Sequence, residues 1–211
     1  METLENHLQA QIIREYDRLG AGAGWRLLYS PTHVLRGADV ALIAANPDGS
    51  FAPPDHGEFS MVSGSAYVNE SWAGFPPGAA PLQRQVQHLF QELSVSPPDV
   101  LAGNLIPYRS PKWDELPDPD AAVTLGGSLW ADMIAAARPK LIICLGDVTW
   151  RAITRVISAG PVTTAPVGWG VVRGRRAPFE GGRIIGLPHL SRYRVFGRQQ
   201  SAAPLRALLA E

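Results

Sequence analysis

The chain is poor in cysteine, lysine and long apolar segments, and each scarcity excludes a class of protein or site. Cys144 is the single cysteine among 211 residues, so neither an intramolecular disulfide nor an all-cysteine zinc or iron–sulfur site can form. No apolar run approaches the roughly 20 residues that a membrane-spanning helix needs. The N-terminal segment METLENHLQAQ lacks the basic-then-apolar arrangement of a signal peptide. We therefore expect a cytoplasmic protein that does not associate with a membrane.

Acidic and basic residues are separated along the chain, although the formal net charge is zero. Residues 1–137 hold 7 Lys and Arg against 16 Asp and Glu, a net charge of −9, whereas residues 138–211 hold 12 against 3, a net charge of +9. Nearly all the basic residues are arginines, which suit bidentate phosphate contacts and stacking. This asymmetry indicates a basic face that meets a polyanion. The alternative is a solvated surface on which the charges interleave after folding.

Short apolar segments alternate with amphipathic ones, which is typical of a parallel α/β sheet covered by helices. No internal repeat or linker divides the chain, so we expect one domain over residues 1–211. Its expected parts are an N-terminal helical extension (1–37), a motif-bearing core (38–198) and a closing helix within 199–211. The spacing predicts helices over 4–19, 82–93, 128–139, 147–157 and 204–211, and strands near 40–44, 99–104, 140–145 and 183–187.

Three predicted strands end on conspicuous polar residues, namely Asn46 with Pro47, Asn104 and His189. In open parallel sheets, ligands bind beyond the carboxyl ends of the strands. The three positions therefore predict one polar site at that edge of the sheet. The alternative is that Asn, Pro and His simply suit turns that terminate strands.

Five segments in order resemble the motifs of the uracil-DNA glycosylase superfamily. They are LIAANPDG (42–49), HGEFS (56–60), GNLIPYRSP (103–111), IICLGD (142–147) and LPHLS (187–191), and FPPG (75–78) is similar to the loop that pinches the DNA backbone. The chain departs from the family pattern at Ala44, Asp48 and Leu190, and it lacks the cysteines of the iron–sulfur branches. The resemblance thus implies a cluster-free branch whose fold is a four-stranded parallel sheet between helices.

The resemblance also implies roles for the residues in these motifs. Asn46 would position the attacking water or stabilise the sugar cation, and His189 would donate a hydrogen bond to the departing base. Phe59 would stack on the extruded ring. Asn104 would bind the pyrimidine edge, since its amide complements uracil in one orientation and cytosine in the other. Asp48 would lie against the base, where it either supplies a carboxylate or serves as a turn residue.

The loop after His189 would hold the DNA strand. Ser191 is placed to bind a phosphate, and Tyr193 occupies the wedge position that fills the vacated stack, with Arg194 as the alternative. The arginines at 192, 194 and 198 would contact phosphates, and those at 173, 175 and 176 would extend the same face.

Together these features predict a monomeric, monofunctional DNA glycosylase that uses no metal or other cofactor. Nothing bulky follows Asn46–Pro47, so we expect the pocket to tolerate a substituent at C5 of the pyrimidine. The substrate would be uracil or a C5-modified pyrimidine, such as a modified cytosine in phage DNA attacked in antiviral defence. Lys112 and Lys140 lie outside the candidate site segments, which argues against Schiff-base chemistry.

Two alternatives to this function belong to other classes. One is a DNA-binding module of the same fold that has lost turnover. The other is an unrelated α/β enzyme acting on a nucleotide or an ester. The chain has neither a Gly-x-Gly-x-x-Gly phosphate loop nor a Gly-x-Ser-x-Gly elbow, which argues against the second alternative.

Overall fold

A computed structural model describes residues 3–53 and 56–210 of the protein. Its sheet has six strands in the order β2-β1-β3-β6-β5-β4. The strands are β1 (Val40–Ala44), β2 (Leu101–Asn104), β3 (Leu141–Leu145), β4 (Thr163–Trp169), β5 (Val172–Phe179) and β6 (Gly182–Leu187). The four strands β2, β1, β3 and β6 are mutually parallel, whereas β5 is antiparallel to both β6 and β4.

The predicted four-stranded parallel sheet is therefore wrong in strand number and in strand direction, although the α/β class is confirmed. The four expected strands are present, but a hairpin of β4 and β5 extends the sheet beyond β6. Pro166 and Gly168 interrupt β4, and β5 carries arginines at positions 173, 175 and 176. This hairpin lacks the continuous apolar run of the parallel strands, so periodicity alone does not reveal it.

In the described residues, six α-helices accompany the sheet: α1 (Leu4–Arg18), α2 (Ala66–Asn69), α3 (Pro81–Glu92), α4 (Pro119–Ala137), α5 (Asp147–Val156) and α6 (Gln199–Leu209). Helix α4 begins earlier than its apolar periodicity predicts, because the Asp118 side chain accepts a hydrogen bond from the backbone N–H of Ala121 and Pro119 occupies the first turn. None of the described helices is both long and apolar enough to cross a membrane.

The two faces of the sheet carry separate hydrophobic cores, because side chains alternate along each strand. In β1, Ala41 and Ile43 belong to the core that includes Leu8 and Ile12 of α1 and residues of α4 and α5. Val40 and Leu42 belong to the opposite core, with α3 and α6. The N-terminal helix thus packs against one face of the sheet, and the two cores together fix the strands whose carboxyl ends form the site.

Candidate active site

A pocket of about 790 Å³ lies at the carboxyl ends of β1, β3 and β6. Asn46 and Asp48 follow β1, Gly146 follows β3, and His189 and Ser191 follow β6. Parallel strands end at the same edge of a sheet, which is why residues distant in sequence line one cavity. The structure thus brings together six of the predicted site residues: Asn46, Asp48, His189, Ser191, Arg192 and Tyr193.

The side chain of Asn46 is fixed by the backbone. Its Nδ2 donates to the carbonyl oxygen of Pro47 at 3.1 Å and to that of Ser110 at 3.4 Å. The loop that carries Ser110 is itself held to the β1 loop, since the Ser110 N–H donates to Pro47 O at 3.2 Å. With its donors engaged in this way, Asn46 has its Oδ1 available as a hydrogen-bond acceptor at the pocket wall.

The imidazole of His189 is held by its neighbour two residues on. Nδ1 lies 2.7 Å from the hydroxyl oxygen of Ser191. Burial lowers the pKa of His189 below its ordinary value, and the charge of Asp48 opposes that shift. The ring is therefore neutral at pH 7. If the Ser191 hydroxyl donates to Nδ1, the proton resides on Nε2, and the ring becomes a donor at its far side.

Leu190 departs from the family motif, and its place in the fold accounts for its apolar character. Its side chain is fully buried in the core that contains α3 and α6. The N–H groups of Arg192 and Tyr193 both donate to His189 O at 3.0 Å and close a turn around Leu190. The buried leucine therefore anchors the loop that presents His189 and Ser191.

Asp48 faces the same pocket as His189. Burial raises the pKa of its carboxyl group, while the charges of His189 and Arg109 lower it. Arg109 also holds the loop, since its Nη1 donates to Asp48 O at 3.0 Å. The pocket therefore contains a carboxyl group and an imidazole that are close enough to affect each other's pKa.

The residues predicted to bind DNA fall into two groups. Ser191, Arg192 and Arg194 are exposed. Tyr193 is half-buried and meets the Trp169 ring edge-on, with ring centroids 6.1 Å apart. Arg198 lies over the ring of the same tryptophan, with Cζ 4.0 Å from the ring centroid. Tyr193 and Arg198 both pack against Trp169, whereas Arg194 is exposed, so Arg194 is the candidate for the wedge whose side chain is not held by that tryptophan.

The structure does not place Phe59 or Asn104 among the residues that line this pocket. Phe59 is half-buried and packs against the core that contains α1 and α4. Asn104 is fully buried at the end of β2, where its Nδ2 donates to Arg26 O at 3.2 Å. Its Oδ1 has no hydrogen-bond partner among the described residues. Asn104 thus lies behind the β1 loop rather than on the open wall.

The β4–β5 hairpin and helix α5 complete the pocket, and of their side chains the sequence analysis named Arg173 and Arg175 but not Trp150. Arg173 and Arg175 of β5 and Trp150 of α5 line the pocket. Arg175 is held by an ion pair with Asp147 at 2.8 Å. Arg173 and Arg175 reach the same wall because residues two apart share a strand face, whereas Trp150 belongs to no motif that would predict its place.

The expectation that Lys112 lies outside the site is wrong, because this residue lines the pocket. Its Nζ is 3.1 Å from a carboxylate oxygen of Glu115, and both side chains are largely exposed. Among residues 3–53 and 56–210, no group of three or more His, Cys, Asp or Glu side chains could hold a metal ion.

The fold and the site define an α/β protein with a polar pocket at the carboxyl edge of its parallel strands. The family model of the Uracil DNA glycosylase superfamily matches residues 42–211, which include all five motifs and both Asn46 and His189. The chain therefore belongs to the uracil-DNA glycosylase superfamily. No curated protein matches it in sequence. Membership of this superfamily suggests a DNA glycosylase that acts on DNA.

Proposed function

We propose that this protein is a monofunctional DNA glycosylase that hydrolyses the N-glycosidic bond of uracil or of a C5-modified pyrimidine and leaves an abasic site. The observation that carries the proposal is the convergence of Asn46 and His189 on one pocket from the ends of β1 and β6. An enzyme of this kind extrudes the base, since its target bond is inaccessible within the duplex.

His189 stabilises the departing base. As the bond between C1′ of the sugar and N1 of the pyrimidine breaks, its electron pair moves to the base, and negative charge develops on the base carbonyl oxygens. A neutral imidazole that donates from Nε2 stabilises that charge. Ser191 favours this tautomer, because its hydroxyl, 2.7 Å from Nδ1, can donate there. Ser191 therefore orients His189 in addition to any phosphate contact.

Asn46 positions the water that attacks C1′. Its Nδ2 donates to two backbone carbonyls, so Oδ1 accepts a hydrogen bond from the water. A neutral amide is not a strong base, so the water proton passes to another group. Asp48 is the carboxylate in the same pocket, and its raised pKa makes it a better proton acceptor than an ordinary aspartate. The base departs as an anion and takes up a proton from the solvent, to which Asp48 returns its own, so the products are the abasic sugar and the free base.

The segment that follows Asn46 and Pro47 carries no bulky side chain that would exclude a substituent at C5 of the base. Asp48, Gly49 and Ser50 follow Pro47, and none of the three has a large side chain. No large side chain of this segment fills the space next to C5. A pocket of this shape accepts a C5-modified cytosine of phage DNA, which would place the enzyme in antiviral defence, and it also accepts uracil, as in repair.

Base release from defined oligonucleotides tests the proposal. Duplexes carrying uracil, 5-hydroxymethylcytosine or glucosylated 5-hydroxymethylcytosine are incubated with the full chain, and released base is measured by mass spectrometry. We expect release from at least one of them. Asn46→Ala and His189→Ala should each lower the rate by roughly 10² to 10⁴ while DNA binding persists. Arg14→Gln, on an exposed face of α1, serves as the control and should keep the wild-type rate.

The outcomes separate the candidates. Release from uracil alone eliminates the modified-base substrate. A wild-type protein that binds DNA but releases no base from any duplex is a binding module of the same fold. Borohydride trapping checks the monofunctional assignment, because a Schiff base at Lys112 would leave a covalent protein–DNA adduct. We expect no adduct with either the wild-type protein or Lys112→Ala.

A further inference from the structure

A buried ion pair lies behind the pocket, where no motif of the sequence calls for one. Arg26 is fully buried, and its Nη2 is 2.7 Å from Oε1 of Glu70, which is itself 8% exposed. Arg26 Nε also donates to Leu28 O at 3.1 Å, and its Cζ lies 5.2 Å from the centroid of the Tyr29 ring. Trp72 Nε1 donates to Glu70 at 3.0 Å. The guanidinium is therefore held in one orientation.

Unpartnered polar atoms are concentrated around this pair. Among the described residues, six buried side-chain polar atoms have no hydrogen-bond partner, and all but Arg183 Nε belong to residues near the pair: Arg26 Nη1, Ser65 Oγ, Tyr67 OH, Asn104 Oδ1 and Arg109 Nε. Buried polar groups in proteins nearly always form hydrogen bonds, because a buried group without a partner costs about 1–3 kcal/mol of stability. Such a concentration is typical of a binding site.

These groups adjoin the catalytic pocket. Arg26 accepts from Asn104 Nδ2 through its backbone carbonyl at 3.2 Å, which fixes the Asn104 amide. Arg109 links the group to the β1 loop by donating to Asp48 O at 3.0 Å. Burial lowers the pKa of Arg109, and Arg26 adds to that effect, so the two guanidinium groups act on each other. We call Arg26, Tyr29, Glu70, Asn104 and Arg109 the inner polar cluster.

We propose that Arg26, held by Glu70, is a specificity-determining residue whose unpartnered Nη1 donates a hydrogen bond to an oxygen on the edge of the extruded base remote from the sugar. The proposal rests on the function proposed above. The glycosidic bond must lie at the open pocket with Asn46 and His189, so the inner polar cluster meets the opposite edge, at positions 4 and 5 of the ring. A guanidinium only donates, so it selects an oxygen there, while Asn104 Oδ1 accepts from a neighbouring N–H.

Paired bases that differ by one group on that edge test the proposal. Uracil is compared with 2-pyrimidinone, which lacks O4, and 5-hydroxymethylcytosine with 5-methylcytosine, which lacks the hydroxyl. Each base is placed in a duplex on a 2′-fluoroarabino sugar, which resists cleavage, and the dissociation constant is measured. In at least one pair, the wild-type protein should prefer the oxygen-bearing member on the order of tenfold to a hundredfold, because a hydrogen bond to a charged donor contributes that much.

Variants assign this preference to Arg26. Arg26→Lys should lose most of the preference for the oxygen-bearing member and change binding of the other member only slightly. Glu70→Gln, which releases the guanidinium without removing it, should reduce the preference in part. Arg183→Lys is the matched control, since Arg183 also has a buried, unpartnered Nε but lies on β6 away from the inner polar cluster. It should keep the wild-type preference.

Equal weakening of both members by a folded Arg26→Lys variant would overturn the proposal, because it would show that Arg26 only supports the fold. Equal wild-type affinity within both pairs would overturn it as well, whether or not Arg26→Lys folds. Failure of the proposed function has a different signature: natural sugars would release no base, although the preference and its dependence on Arg26 persisted.

Discussion

At the scale of the residue, the protonation state of His189 determines what the site can do. Burial lowers its pKa and favours the neutral ring, and Ser191 Oγ lies 2.7 Å from Nδ1. In the proposed reaction, the neutral ring would stabilise the developing base anion through a hydrogen bond rather than through a full charge. The side chain proposed to stabilise the leaving group is therefore also a group that is difficult to protonate in the folded state.

This lowered pKa makes stability depend on pH through His189. The unfolded chain takes up a proton near the ordinary histidine pKa of 6.5, whereas the folded chain takes it up only at lower pH. The contribution of the neutral ring to stability is therefore present above that pH and is lost as the pH falls through it. We expect the stability of the wild-type protein relative to His189→Asn to decrease as the pH is lowered from about 8 to about 5.

Urea denaturation across that pH range measures the effect. Ser191→Ala is the control, because it removes the hydroxyl partner but keeps the titrating ring, and it should retain the wild-type dependence on pH. Parallel curves for the wild-type protein and His189→Asn would show that the ring titrates alike in both states and would contradict the assignment.

At the scale of the element, close approach of α4 to the end of β2 positions Asn104. A Cβ atom on Gly126 would overlap the carbonyl oxygen of Leu105, the residue after β2. Four residues further along the helix, Trp130 Nε1 donates to Asn104 O at 2.8 Å. Helix α4 thus fixes the backbone on both sides of the Asn104–Leu105 peptide, and only glycine at position 126 allows this contact.

Neighbouring glycines of α4 provide a matched test of that contact. Gly126→Ala should destabilise the protein by roughly 1–3 kcal/mol, because the helix must shift away from β2. Gly127→Ala should be neutral or stabilise by up to about 1 kcal/mol, because its Cβ would meet Val156 at an ordinary 3.7 Å and alanine favours a helix. Thermal denaturation of the two variants measures the difference. Similar losses in both would refute the close-approach explanation.

The elements also show how far sequence reasoning reaches. The apolar runs at 40–44 and 141–145 predict the observed strands β1 and β3, and the amphipathic pattern at 4–19 predicts α1. The residues that directly follow β1 and β6 were predictable as pocket residues, since strand ends share an edge. The β4–β5 hairpin was not predictable, because Pro166 and Gly168 break the apolar alternation that is typical of a strand. The Arg26–Glu70 ion pair was not predictable either, because it depends on tertiary contacts.

At the scale of the whole molecule, arginines of the C-terminal part gather around the pocket. Arg173, Arg175 and Arg192 line it, and Arg194 is exposed on the same loop as Arg192. The acidic N-terminal part supplies α1 and α3, and it contributes Asp48 and Asp114 to the pocket lining. The charge asymmetry of the sequence is thus carried into the fold as a basic rim, which favours a polyanion such as DNA.

Salt dependence of DNA binding resolves the contributions of this rim. Each arginine that neutralises a phosphate releases counterions, so its loss should lower the slope of log K against log salt by about one unit. We expect this for Arg192→Gln and Arg194→Gln. Arg198→Gln should lower the slope less, because Arg198 lies on Trp169 with its Cζ 4.0 Å from the ring centroid. Arg14→Gln on α1 should leave it unchanged. A nearly salt-independent affinity of the wild-type protein, or equal effects of Arg14→Gln and Arg192→Gln, would show that the basic rim does not contact the DNA backbone.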